Sequence, residues 1–202
     1  MRAKTQERLL EHVASVRSTD TRAVFGDSLT ERLVWQHPHL APASTWLCGV
    51  GGDRISQLAW RVANPDGTGY TQVATVTAKL THIVVLIGSN DIGAGDGTTP
   101  REKKRIATMV GNVELMVSQL RSRWPTAEVH VFPIPPIPTS GQMERHPEFR
   151  EAYLAALQAR GLLTTQVAWP SSMDLDADFE DGVHLSPSGY AHLLDMLACT
   201  FS

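Results

Sequence analysis

The chain has 202 residues, which is enough for one domain with a substantial core. Apolar residues make up 42% of it and charged residues 19%, a balance that excludes an intrinsically disordered chain. The net charge is −3 and no basic stripe is present, so we expect no nucleic-acid partner. We expect residues 1–202 to form a single domain.

The first segment, residues 1–20, is predicted to be a charged amphipathic helix. Its apolar positions share one side: Leu9, Leu10, Val13 and Val16. The segment lacks the apolar centre of a signal peptide, and no run in the chain approaches the length of a membrane span. We therefore expect a cytoplasmic protein without integral membrane association.

Apolar runs and helical spacings alternate through the rest of the chain. The predicted strands cover residues 23–25, 44–48, 82–88, 128–132 and 166–169. The predicted helices cover 29–36, 54–62 and 148–160, a long helix that starts at 100, and a final helix that starts at 186. Residues 133–147 are predicted to be a proline-rich loop. This alternation predicts an α/β fold, with helices packed around a parallel sheet.

A serine stands where the first predicted strand ends. Residues 26–28 (GDS) separate the apolar run from the following helix. A hydroxyl at this position lies at the carboxyl end of a strand and beside the free N–H groups of a helix. Ser28 is also compatible with a simple role as helix N-cap, which serine often has. Residues near the far end of the chain favour the functional interpretation.

Polar residues follow other predicted strands in the same way. Gly52 follows the second strand and Asn90 the third, while Asp181 and His184 lie in the loop before the last helix. In an open parallel sheet these loops meet at the carboxyl edge, where ligands bind. Residues far apart in sequence can therefore surround one small molecule.

Acyl transfer requires the residue types that this edge collects. A serine hydroxyl such as that of Ser28 needs a base to take its proton, and His184 is the candidate. Asp181 could accept the Nδ1–H of His184 and fix its tautomer. The backbone N–H groups of Ser28 and Gly52 and the side chain of Asn90 are suitable donors for an oxyanion.

Four segments together resemble the sequence blocks of the SGNH, or GDSL-type, hydrolases. They are residues 26–29 (GDSL), 49–53 (GVGGD), 88–91 (GSND) and 181–184 (DGVH), in the order of the family. The resemblance implies a flavodoxin-like three-layer α/β/α sandwich with a five-stranded parallel sheet. It also implies a triad of Ser28, Asp181 and His184, and an oxyanion hole formed by Ser28, Gly52 and Asn90.

The second block departs from the family pattern at its start. The family often has an asparagine there, and Cys48 or Leu47 stands near that position. Because the required donor is the Gly52 amide, we expect the oxyanion hole to survive. Residues 49–61 look like the intracellular platelet-activating-factor acetylhydrolase branch and its bacterial relatives, which act on short acyl groups.

We therefore predict a serine esterase that hydrolyses small esters, with short and possibly acetyl acyl groups, through an acyl-enzyme. We expect a small-molecule ester as its partner and neither a metal nor an organic cofactor. Two alternatives stay open at this point. One is acyl transfer to an alcohol or sugar acceptor through the same acyl-enzyme, and the other is a non-catalytic binding protein on this fold. The sequence carries no signature for substrate-binding residues or oligomeric state.

Several conspicuous residues are assigned ordinary structural roles. His37 and His39 are interpreted as part of a surface loop, because no metalloenzyme spacing accompanies them. Three carboxylates are expected to bond loop amides: Asp27, Asp53 and Asp91. Core or surface positions are favoured over pocket positions for Trp46, Trp60, Arg54, Arg145 and His146, and His192 is expected to pack or face solvent. Both cysteines, Cys48 and Cys199, are expected to be buried free thiols.

Overall fold

The structure, a computed structural model, describes residues 3–73, 76, 79–93, 95–136 and 147–202. The helices are α1 (Ala3–Ser15), α2 (Ser28–Trp35), α3 (Ile55–Val62), α4 (Pro100–Arg123), α5 (Pro147–Ala159) and α6 (Pro187–Phe201). The strands are β1 (Arg22–Gly26), β2 (Thr45–Gly49), β3 (His82–Leu86) and β4 (Glu128–Val131). Most of the predicted loop 133–147 lies outside the described residues, and so do Arg145 and His146.

The four strands form one parallel sheet in the order β2-β1-β3-β4. In its register, Gly26 at the end of β1 lies opposite Gly49 of β2 and Leu86 of β3. The strands that precede Ser28, Gly52 and Asn90 therefore end side by side. From β1 the chain adds β2 on one side and β3 and then β4 on the other, so β1 and β3 flank the switch point of the strand order. An open α/β sheet has its ligand crevice at such a point.

Helices cover both faces of the sheet, as the apolar strands require. Along β1, Ala23 and Phe25 face one core and Val24 faces the other. The first core packs against α1, α3, α4 and α5, and the second against α2 and α6. The result is the predicted three-layer α/β/α arrangement, with α2, α6 and a short 3-10 helix (Pro38–Leu40) on one face.

The prediction of a fifth strand at 166–169 is wrong for the described chain. Parallel pairing beyond β4 is limited to an isolated bridge between Val131 and Leu163. The apolar residues Val167 and Trp169 of this segment pack into the core beside α6. The indole N–H of Trp169 donates to the carbonyl oxygen of Pro133, so the segment is held by side chains and not by a backbone ladder.

Two further predictions need correction at the surface. The helix predicted over residues 1–20 ends at Ser15, and Leu10 does not join the buried stripe because its exposed fraction is 62%. Cys199 is free but exposed, whereas Cys48 is free and buried as expected. None of the helices in the described part of the chain has the length and apolarity to cross a bilayer.

Candidate active site

Ser28 is the first residue of α2, and Asp27 alone separates it from the end of β1. Asp27 caps the helix, because its buried carboxylate accepts the backbone N–H of Leu29 at 3.1 Å. Ser28 itself is therefore not needed as the cap, and its hydroxyl is available for other contacts. Its backbone N–H is the first of the helix and has no acceptor within α2.

The structure brings the hydroxyl of Ser28 next to the imidazole of His184. Ser28 Oγ lies 3.0 Å from His184 Nε2, and His184 Nδ1 lies 2.8 Å from Asp181 Oδ2. A carboxylate only accepts hydrogen bonds, so Nδ1 carries the proton and Nε2 is free to accept the serine hydroxyl proton. This arrangement can move a proton from Ser28 to His184.

The carboxylate of Asp181 is held in its ionised form. Partial burial acts to raise the pKa of Asp181, but hydrogen bonds from the ring and backbone N–H of His184 outweigh it and lower the pKa to about 2. Arg32 adds a further contact, with Nη2 at 3.3 Å from Asp181 Oδ2 and Nη1 at 3.1 Å from Glu180 Oε2. One helix, α2, thus carries Ser28 and a cation that contacts Asp181.

Asn90 ties together the loops that follow β1, β2 and β3. Its Nδ2 donates to the carbonyl oxygen of Asp53 at 3.0 Å and lies 3.5 Å from Asp27 Oδ2. Gly52, the neighbour of Asp53, has φ of 78°, in the left-handed region that favours glycine. The amide nitrogen of Asn90 has two hydrogens, and the long contact to Asp27 is the one that a substrate oxygen could replace.

Asp91 fastens the loop that carries Asn90 to the start of α3. Its Oδ2 accepts the backbone N–H of Ile55 at 2.9 Å, and its backbone oxygen accepts a hydrogen bond from Arg105. Burial raises the pKa of Asp91 to about 6, although the Ile55 N–H and the charges of Arg54 and Arg105 act in the opposite direction. Asp27 and Asp91 bond backbone amides as expected, but these amides belong to the first turns of α2 and α3 and not to loops.

For Asp53 the expected bonding to loop amides is wrong, because its fully buried carboxylate bonds to side chains. Oδ2 accepts from Arg61 Nε at 2.9 Å, and Oδ1 accepts from the hydroxyl of Thr5 at 2.8 Å. Arg61 also donates to the carbonyl oxygens of Gly26 and Cys48 at 2.8 and 2.9 Å. A buried guanidinium therefore holds the ends of β1 and β2 to the loop that contains Gly52.

Sequence reasoning missed Arg32 and Arg61. Arg61 follows Leu58 by three positions and so lies on the apolar face of α3, where an unpaired charge would be costly. That mismatch is a usable signal for a buried ion pair. Arg32 follows Ser28 by four positions, one helical turn, so it projects on the same side of α2.

The residues that were assigned ordinary structural roles from the sequence have the following contacts. His37 is buried against Tyr190, with ring centroids 4.8 Å apart, so it is more than a surface-loop residue. His192 Nε2 lies 3.3 Å from Asp178 Oδ2. Trp46 is buried in the core and Trp60 packs partly buried against it, whereas Arg54 is exposed.

Comparison with known proteins agrees with this fold. A model of the GDSL-like lipase/acylhydrolase family matches residues 24–192. A search of curated protein sequences gave no match. The chain belongs to the GDSL-like lipase/acylhydrolase family and is a carboxylic ester hydrolase.

Solved structures from several organisms share the fold. A Streptococcus pneumonia protein provisionally assigned as a platelet activating factor is 20% identical, with a TM-score of 0.72 over 98% of this chain and 93% of its own. A GDSL-like lipase from Bacteroides thetaiotaomicron is 18% identical, with a TM-score of 0.66 over 98% and 96%. A carbohydrate esterase family 3 protein from Talaromyces cellulolyticus is 16% identical, with a TM-score of 0.58 over 90% and 96%. At these identities the similarity establishes the fold alone.

Proposed function

We propose that the protein hydrolyses small, short-acyl esters through a covalent acyl-enzyme formed on Ser28. The observation that carries this proposal is the continuous chain of contacts from Ser28 Oγ through His184 to Asp181, at 3.0 and 2.8 Å. The base lies within hydrogen-bonding distance of both the nucleophile and the orienting carboxylate, as acyl transfer requires.

In the first step, Ser28 Oγ attacks the ester carbonyl carbon while His184 Nε2 takes the hydroxyl proton. The tetrahedral intermediate collapses, the bond to the alcohol oxygen breaks, and His184 returns the proton to the leaving alcohol. Water then attacks the acyl-enzyme with the same help from His184 and releases the carboxylic acid. Asp181 holds the imidazole in the required tautomer and stabilises the imidazolium throughout.

The oxyanion of each tetrahedral intermediate is stabilised by three donors, the backbone N–H groups of Ser28 and Gly52 and the side chain of Asn90. Loss of one such donor typically costs about 2.7–4 kcal/mol in transition-state stabilisation. The long contact from Asn90 Nδ2 to Asp27 supports this role, because the hydrogen that faces Asp27 is only weakly bonded and can be shared with an oxyanion while the other hydrogen stays bonded to Asp53.

The Ser28→Ala variant tests the proposal directly. We expect kcat towards p-nitrophenyl acetate to fall by about 10⁴-fold or more, as for removal of a triad serine elsewhere. The fold should survive, since Asp27 provides the cap of α2 and alanine favours a helix. Circular dichroism and urea unfolding check that point.

One further measurement completes the test. A fluorophosphonate probe should label Ser28 in the folded protein and leave the Ser28→Ala variant unlabelled. Full esterase activity in the Ser28→Ala variant, or folded wild-type protein that the probe does not label, would contradict the assignment.

A further inference from the structure

A groove of about 690 Å³ lies between the N-terminal ends of α3 and α4. We name it the basic groove, after the four cationic residues that line it: Arg54, Arg101, Lys104 and Arg105. The single carboxylate among its described lining residues is Glu102, which already accepts the backbone N–H of Thr99 at 3.2 Å as part of the cap of α4. The groove therefore has a strong positive charge and is open to solvent.

The basic groove adjoins the loops of the candidate active site. Arg54 directly follows Asp53, whose carbonyl oxygen accepts the amide of Asn90. Arg105 donates to the backbone oxygen of Asp91, the neighbour of Asn90. Burial raises the pKa of Asp91 while the charges of Arg54 and Arg105 oppose it, which places both guanidinium groups near this loop.

The layers of the fold indicate which part of a substrate meets the groove. Helices α2 and α6, which flank the segment with His184, pack on one face of the sheet, and α3 and α4 pack on the other. The leaving alcohol must receive its proton from His184 Nε2, so it departs on the α2 side. An acyl substituent that points away from His184 would extend towards α3 and α4, the side of the sheet on which the basic groove lies.

We propose that the basic groove binds a carboxylate at the far end of the acyl chain, so that preferred substrates are monoesters of dicarboxylic acids. This inference rests on the proposed function and specifies its substrate class. Guanidinium and ammonium groups bind carboxylates by charge-assisted hydrogen bonds, and arginine does so through two parallel donors. Ser28 Oγ forms the bond to the ester carbonyl carbon, the alcohol leaves with the proton from His184, and water releases the dicarboxylate.

The test compares matched esters with and without a terminal charge. Mono-p-nitrophenyl adipate and p-nitrophenyl hexanoate have the same leaving group and chain length. We expect kcat/KM for the adipate to exceed that for the hexanoate, and the ratio to fall about 5- to 30-fold in the Arg101→Glu/Lys104→Glu variant at low salt. The neutralised variant, Arg101→Gln/Lys104→Gln, should give an intermediate ratio.

Arg121→Glu is the matched control, because Arg121 is exposed on the same helix but 20 residues from Arg101, about 30 Å along its axis. It should leave the adipate-to-hexanoate ratio unchanged. The wild-type ratio should shrink as salt is raised from about 0.02 to 0.5 M, because the Debye length shortens. Phenyl acetate and 4-acetoxybenzoate form a second pair, in which the charge lies on the leaving group.

The outcomes separate this inference from the proposed function. Hydrolysis of the hexanoate with an equal or lower rate for the adipate would overturn the inference and leave the esterase assignment intact. If the groove substitutions change only the kcat/KM ratio of 4-acetoxybenzoate to phenyl acetate, the groove binds the leaving group, and the proposal that it binds the acyl chain is overturned. Failure of Ser28-dependent turnover with every ester would overturn both.

Discussion

Arg61 offers a quantitative test of how the strand ends are held together. The Arg61→Met variant keeps most of the side-chain volume but removes the guanidinium. The carboxylate of Asp53 then stays fully buried without its cation, and the carbonyl oxygens of Gly26 and Cys48 lose a donor. Breaking a buried ion pair by removal of one partner costs about 3–5 kcal/mol. We expect the free energy of unfolding to fall by that amount.

Urea unfolding measures this loss. For an m-value of about 2 kcal/mol/M, the midpoint should fall by about 2 M. The Asp53→Asn/Arg61→Met variant has no unpaired buried charge and should be more stable than Arg61→Met alone. Arg121→Met, at an exposed position, should change stability by less than about 0.5 kcal/mol. A loss below about 1 kcal/mol for Arg61→Met would refute the view that this ion pair needs both partners.

Three further predictions concern single side chains. Asp91 keeps its proton in the folded protein up to about pH 6 but loses it near 3.8 when unfolded, so its contribution to stability falls as pH rises through that window. The free energy of unfolding of wild type, relative to that of Asp91→Asn, should therefore drop by about 3 kcal/mol between about pH 4 and 7. Urea titrations measure this difference, and a difference that stays constant with pH would contradict the prediction. Arg32→Gln should lower kcat/KM for p-nitrophenyl acetate about 3- to 10-fold. The free energy of unfolding should change by less than about 1 kcal/mol, because the ion pairs of Arg32 are partly exposed. Unchanged kcat/KM would show that Arg32 does not position Asp181. In Gly49→Ala the new Cβ would lie 2.0 Å from the backbone nitrogen of Glu31, so thermal unfolding should show a loss of stability of about 2 kcal/mol or more. In Gly111→Ala, on the exposed side of α4, the new Cβ meets nothing within 4 Å, so stability should rise by about 0.5–1 kcal/mol. Equal effects of the two substitutions would contradict the packing argument.

Local patterns were sufficient to predict an α/β fold around a parallel sheet, and the resemblance of four sequence blocks predicted its three layers and the family. A continuous apolar run such as β3 is typical of a strand buried on both faces, and helical spacing made α4 recognisable. The predicted meeting of Ser28, Asp181 and His184 followed from the rule that loops after parallel strands share one edge. The structure brings these three residues into hydrogen-bonding distance, and their catalytic roles are still proposals.

Other features depend on tertiary contacts that no local pattern contains. Residues 166–169 alternate like a strand, yet the same alternation serves to bury Val167 and Trp169 without backbone pairing. The partners of Asp53 come from α1 and α3, distant in sequence, so its bonding to Thr5 and Arg61 could not be inferred from the glycine-rich turn. The exposure of Cys199 depends on which side of α6 meets the sheet.

The anchoring of α1 has a practical consequence for anyone who trims the gene. The family match begins at residue 24 and so omits this whole helix. Yet the hydroxyl of Thr5 donates to the buried carboxylate of Asp53, and the backbone oxygen of His12 accepts the indole N–H of Trp46. A chain that starts at residue 24 would leave the Asp53 carboxylate without the Thr5 hydroxyl and the Trp46 indole N–H without its acceptor. A loss of activity in that shortened protein would therefore reflect damage to the fold and not to the catalytic residues.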